Sequence, residues 1–135
     1  MFLLEFLFCR TGFVIACIGT AVGMEIFNDA NRPVYVAVDE NDSVMGYAFC
    51  IKKKQPFSTN MVPFDSLFID DLCVNQNIRG KHVGQKIFEH VKEEAKKMGC
   101  YEVTLNVWEG NDTARRFYEK MGMVPKETQM EFILK

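Results

Sequence analysis

Residues able to do chemistry are concentrated in one stretch, SLFIDDLCVNQNIRGKHVG, which runs from Ser66 to Gly84. Its second half reads as a loop entering a helix. A helix start has unpaired N–H groups and the positive end of the macrodipole, so a loop that bends tightly into it binds phosphate. Gly80 and Gly84 allow close backbone approach, and Arg79 and Lys81 add positive charge. The stretch lacks both the G-x-x-x-x-G-K-[ST] pattern and a full G-x-G-x-x-G, which weighs against nucleoside triphosphates and dinucleotides. An ordinary strand-to-helix connection is the other use of the same residues. The first half holds Asp70 and Asp71, adjacent acids in an apolar strand. Strand neighbours face opposite sides, so only one acid can enter a given cleft. Asp70 is expected to share its face with Leu72 and Val74. Burial of such a carboxyl would raise its pKa toward a value useful for proton transfer. A solvated strand end is the alternative.

The elements around this stretch follow from periodicity and turn residues. Val34 to Asp39 (VYVAVD) and Val44 to Ile51 predict a hairpin about the turn Glu40–Ser43. Lys52 to Asp65 reads as a loop, and Ser66 to Val74 as a strand. Val83, Ile87, Val91, Ala95 and Met98 recur at helical spacing, with Lys and Glu on the other face. Gly99 is the expected left-handed stop. A strand over Tyr101 to Trp108 follows. Asn111 is a natural N-cap for a helix over Asp112 to Met121, stopped by Gly122. Two closing strands are predicted over Met123–Lys126 and Thr128–Leu134. Helices alternating with strands favour a mixed α/β sheet.

Two segments carry a resemblance. V-N-Q-N-I-R-G-K-H-V-G is similar to the cofactor loop of the GNAT family of N-acetyltransferases, R/Q-x-x-G-x-G/A, with Arg79 in the first position and Gly84 in the last. His82 stands where that family usually has Gly. Leu105-Asn106-Val107-Trp108, Asn111, Ala114 and Arg116-Phe117-Tyr118-Glu119-Lys120-Met121-Gly122-Met123 resemble a second segment, L-x-V-x-x-x-N-x-x-A-x-x-F-Y-x-x-x-G-F. The two stand in the family's order, with a helix and a strand between them. The resemblance implies a mixed, mostly antiparallel twisted sheet with helices on both faces and a splayed strand pair that holds CoA.

It also implies roles. Acetyl-CoA would be the co-substrate. Leu72, Cys73 and Val74 would lie along pantetheine, and Arg79, Gly80, Lys81, His82, Val83 and Gly84 would hold the pyrophosphate. Asn111, Ala114 and Phe117 would complete the cofactor contacts. Tyr118 stands where the family often has the acid that protonates the departing thiolate. A packed helical aromatic is the reading its spacing alone supports. FIDDLCV is also similar to the spermidine/spermine (diamine) acetyltransferases. By that likeness Asp70 would be the base and Asp71 would attract a cationic amine. A small-molecule or peptide amine is the implied acceptor, by direct attack. A CoA-binding or interaction module without catalysis, or transfer of a longer acyl group, are the rival readings.

Bulk properties fit this picture. The 135 residues make one domain, with 48% hydrophobic and 25% charged residues. A net charge of -2 gives no basic surplus for nucleic acid. Five cysteines without C-x-x-C spacing and two histidines argue against a disulfide framework and a metal site. They point to a reducing, cytoplasmic setting. The apolar first residues are interrupted by Arg10, Gly19 and Gly23 and do not read as a membrane span. They read as an atypical hydrophobic helical start (1–33) ahead of a cofactor-binding core (34–135). This start looks shortened against the family and lacks a convincing first strand. The apolar surface it leaves predicts a homodimer.

Overall fold

In the computed structural model, the described residues are 2–5, 29–39, 41, 43–55, 60, 62–75 and 82–135. They form a five-stranded sheet in sequential order: β1 (Phe2–Glu5), β2 (Val34–Val38), β3 (Val44–Lys54), β4 (Asp65–Val74) and β5 (Glu102–Leu105). The first three neighbouring pairs are antiparallel and the last, β4 with β5, is parallel. Helix α1 (Val83–Lys97) makes the crossover between β4 and β5, and α2 (Asp112–Lys120) follows β5. The mixed, mostly antiparallel α/β sheet expected from the sequence is therefore present.

Local chemistry explains the elements. In the β2–β3 turn, Asp39 Oδ1 accepts the N–H groups of Asn41 at 2.8 Å and Ser43 at 2.9 Å, replacing backbone partners that a tight turn lacks. The apolar stripe of α1 lies on the sheet. Val83, Ile87, Phe88, Val91 and Ala95 pack with Tyr35, Ala37, Ala48, Cys50, Leu67 and Ile69 in one buried cluster. Full burial of residues such as Ile87 and Val91 contributes about 1.5–3 kcal/mol each. Both helices end in the same way. Cys100 N–H bonds to Ala95 O at 2.9 Å and Gly99 N–H to Lys96 O at 3.0 Å; Met123 and Gly122 repeat the pattern on Tyr118 and Glu119. Gly99 and Gly122 hold φ of 74° and 98°, a left-handed conformation that costs glycine nothing.

Three expectations are corrected. Phe2–Glu5 is a strand paired with β2, Phe2 opposite Val38, where a helical start without a first strand was expected. A short apolar run cannot by itself separate strand from helix, and the edge of β2 decides it. The rest of the expected helical start lies outside the described residues. The strand after α1 is short, Glu102–Leu105. The two closing strands do not form: residues 123–135 carry no strand. An isolated strand has no ladder to satisfy its backbone. Beyond Met123, Lys126 holds this tail to the sheet, its Nζ meeting Glu102 Oε1 at 2.7 Å. Glu102 also accepts a hydrogen bond from the buried Ser66 at 2.7 Å. Burial alone would raise the Glu102 carboxyl, but these two partners outweigh it and hold it below its ordinary range.

Candidate active site

The site begins where β4 leaves β5. Their parallel pairing runs only from Ser66–Glu102 to Ile69–Leu105. Beyond Ile69, β4 stays paired with β3 as far as Val74 opposite Gly46. Its other edge, from Asp70 to Val74, has no strand partner among the described residues. An open edge of this kind accepts an extended, amide-bearing chain by sheet-like hydrogen bonds.

A break in register changes which acid faces what. Phe49 pairs with Asp71, yet Cys50 pairs with Ile69, so Asp70 has no opposite residue. This bulge shifts the alternation by one. The core-facing residues are Leu67 and Ile69 before it, and Leu72 and Val74 after it. The expectation that Asp70 shares a face with Leu72 and Val74 is thereby corrected. Asp71 and Cys73 lie on the outer face, both exposed. Asp70 is also exposed, and its charge adds to burial in pushing the Cys50 thiol up to about 12. Cys50 is therefore an inert core thiol.

Asp71 bonds one phenol and its charge influences a second. Tyr47, directly across from Cys73 on β3, donates its hydroxyl to Asp71 Oδ2 at 3.3 Å. Tyr118, on α2, is half-buried, with ring centroids 6.0 Å from Phe88 and 5.0 Å from Phe117. Burial first, and then the negative charge of Asp71, push its phenol above the ordinary tyrosine range. The charge of Asp71 thus reaches the predicted residue Tyr118, while that of Asp70 acts on Cys50. Sequence reasoning missed Tyr47. The only signal for it is an aromatic in the β3 pattern, because its partner depends on the bulge in another strand.

At the far end of β4, helix α1 begins. Its first turn contains no acidic residue. Val83 is buried, and Gly84 lies against Phe117 and Val74: a Cβ there would stand 3.4 Å from each. The start of α1, Phe117 and the end of β4 are therefore in close contact. Asn111 caps α2 as expected, its Oδ1 accepting from Ala114 N at 3.3 Å. Arg79, Gly80 and Lys81 lie outside the described residues. His82 is the N-cap of α1, with φ of 58° and ψ of 26°, and among the described residues it alone combines a side chain with positive φ. The backbone there takes the conformation glycine favours, and a Cβ in it costs about 1–2 kcal/mol. His82→Gly should accordingly raise the thermal midpoint by a few degrees; an unchanged or lower midpoint in a melt would show that no strain is held there.

Open edge, acid-free first helical turn and phenol–carboxylate pair fit a long phosphate-bearing thioester. The sequence model of the acetyltransferase (GNAT) family matches residues 9–123. The chain belongs to this family. Two curated relatives agree. A glucosamine 6-phosphate N-acetyltransferase of Arabidopsis thaliana is 42% identical over 62 residues, which is 46% of this chain and 40% of the relative. A glucosamine 6-phosphate N-acetyltransferase 1 of Dictyostelium discoideum is 39% identical over 66 residues, 49% of this chain and 40% of the relative. The matched segment thus spans well under two thirds of either relative. Among solved structures, a mutant form of a Bacillus halodurans protein superposes with a TM-score of 0.82 at 23% identity, covering 100% of both chains. An aminoglycoside N-acetyltransferase in complex with CoA gives 0.78 at 14% identity, covering 99% of both. At such identities these likenesses speak for the fold.

Among the described residues no group of three His, Cys, Asp or Glu side chains is placed to hold a metal. No described helix is long and apolar enough to cross a membrane.

Proposed function

We propose that this GNAT chain transfers an acetyl group from acetyl-CoA to the primary amine of a small molecule by direct attack. The observation that carries this reading is the open edge of β4 beyond Ile69, where Asp71 lies bonded to Tyr47 and its charge acts on Tyr118. Leu72, Cys73 and Val74 offer backbone to pantetheine. Arg79, Gly80, Lys81, His82, Val83 and Gly84 take the pyrophosphate, and Asn111, Ala114 and Phe117 flank the arm. A first turn without carboxylates supports the phosphate assignment, since an acid there would repel it.

The amine arrives as an ammonium ion, because alkylamines have a pKa near 10. Asp71, directly or through water, takes one proton. The nitrogen lone pair then forms the C–N bond at the thioester carbonyl. The tetrahedral intermediate collapses with rupture of the C–S bond, Tyr118 gives its hydroxyl proton to the departing sulfur, and the second nitrogen proton returns to the phenolate through water. Asp70 attracts the cationic substrate from outside the bulge. The two acids thus exchange the roles expected from alternation alone. Cys73 is exposed and faces Tyr47, away from Leu72 and Val74, which supports direct attack over an acyl-cysteine.

The names of the relatives and neighbours favour an amino sugar as acceptor over a diamine or a peptide. The test is CoA-thiol release over a panel of amino sugars, aminoglycosides, polyamines and peptides, beside a thermal-shift titration with acetyl-CoA. Release with an amino sugar is the expected result. Stabilisation by acetyl-CoA with no release on any amine would favour a cofactor-binding module instead.

The proposal extends to a cytoplasmic homodimer. Cys50, Cys73 and Cys100 are free thiols, as a reducing compartment keeps them. Beyond Lys126 the tail leaves Met130, Phe132 and Leu134 exposed at 85%, 87% and 92%. These residues alternate along the chain, as one face of a strand does, and β5 pairs only with β4 among the described residues. A second copy is the occupant that a symmetric exchange of such tails supports. Light scattering should return a dimer, and truncation after Lys126 should return a monomer. A full-length chain that runs as a monomer rejects the dimer.

A further inference from the structure

Tyr47 lies outside the two motif segments quoted above, yet it donates a hydrogen bond to Asp71. Its hydroxyl lies 3.3 Å from Asp71 Oδ2. Its ring is held edge-on to Phe49 with centroids 4.9 Å apart, and Phe49 itself is buried. Strand pairing sets Tyr47 opposite Cys73 and Phe49 opposite Asp71. The bulge at Asp70 is what turns Asp71 onto this outer face. Without it, Asp71 would continue the core row of Leu67 and Ile69 and no contact with Tyr47 would form.

We infer that Tyr47 is a positioning residue for amine deprotonation: its hydroxyl holds one oxygen of Asp71 and leaves the other to receive the ammonium proton. The inference rests on the acetyltransferase reading given above and deepens it. A carboxylate on an exposed strand rotates about its terminal torsion with little restraint. One directed hydrogen bond from a braced ring removes much of that freedom, and misplacement of a catalytic group is costly in rate. The phenol can act as a donor throughout the working range. Burial first, and then the charges of Asp71 and Cys73, keep it protonated well above the ordinary tyrosine range. A phenol that stays neutral cannot be the base, so Tyr47 works through Asp71. The two phenols then have separate tasks: Tyr47 orients Asp71, and Tyr118 protonates the sulfur.

Three variants test this: Tyr47→Phe, Asp71→Asn and the double substitution. Tyr47→Phe keeps the ring on Phe49 and removes only the hydroxyl. It should lower kcat on the responsive amine by about 5- to 50-fold, with the KM for acetyl-CoA unchanged. In the Asp71→Asn background the same substitution should cost nothing further. An undiminished loss in that background, or a raised KM with kcat intact, would overturn the positioning role. Alkaline difference spectra of the tyrosines, wild type against Tyr47→Phe, read the pairing without turnover. Tyr47 should ionise at lower pH in Asp71→Asn than in the wild type. Identical titration in both proteins overturns the contact itself. If the wild type acetylates no amine, the enzymatic reading and this role fall together, and the spectra still report whether the two side chains are paired.

Discussion

Tyr118→Phe should lower kcat on an amine by about 10²-fold while leaving the affinity for acetyl-CoA within about twofold. The substitution keeps the ring, and therefore the packing on Phe88 and Phe117 that seats α2 against the core. Only the hydroxyl disappears. The size of the effect is bounded by the leaving group. Thiols have a pKa near 8.5, so a thiolate can depart without a proton, though more slowly. General acid catalysis therefore contributes near the lower end of its usual range.

The pH dependence has a definite sign. Burial, and then the charge of Asp71, raise the Tyr118 phenol above its ordinary value of 10.0. The acid form thus survives at every pH below that value, and the alkaline limb of kcat should begin only above it. Tyr118→Phe should remove that limb together with the rate. A variant that retains both rate and limb would end the assignment. Stopped-flow measurement of thiol release across pH gives both readings.

Gly46→Ala should lower the thermal midpoint by roughly 10 °C, through a loss of about 2–3 kcal/mol. A Cβ at Gly46 would come 2.7 Å from the carbonyl oxygen of Cys73, 2.9 Å from Ile87 Cδ1 and 3.3 Å from the Cα of Val74. Ile87 can rotate, but the Cys73 carbonyl is part of the β3–β4 ladder and cannot move without displacing the strand. That strand is the same one whose other edge has no strand partner beyond Ile69 among the described residues. Affinity for acetyl-CoA should fall with stability, and a thermal melt with and without the cofactor reads both. A variant that melts like the wild type would contradict the close contact of β3, β4 and α1. Gly46→Val, with two more methyl groups against the same backbone, should be worse than Gly46→Ala.

Features whose cause lies within a few residues were legible in the chain. The stripe Val83, Ile87, Val91 and Ala95 identifies a helix because its period is set by one turn. Gly99 and Gly122 mark helix ends because the left-handed residue that closes the last turn is local. Asn111 caps α2 by a bond three residues away. The family could be read from the same kind of evidence: a loop, a helix and a capped second helix in a fixed order. The expectations of a proton donor and a cofactor loop came with that resemblance.

Features whose cause lies across the sheet were not. Alternation assigned Asp70 to the face of Leu72 and Val74, and alternation holds only while the register is unbroken. The bulge is decided by pairing between β3 and β4, so the choice between Asp70 and Asp71, and the partnership of Tyr47, could not be read from either strand alone. Phe2–Glu5 became a strand because β2 offered it an edge. Met130, Phe132 and Leu134 alternate like a strand but lack one within the described chain. The sequence by itself determined the family, the helices and their ends, since those follow from short-range hydrogen bonding and periodic burial. Only the tertiary structure decided which carboxylate Tyr47 bonds, because a single unpaired residue in a ladder reverses every side chain beyond it.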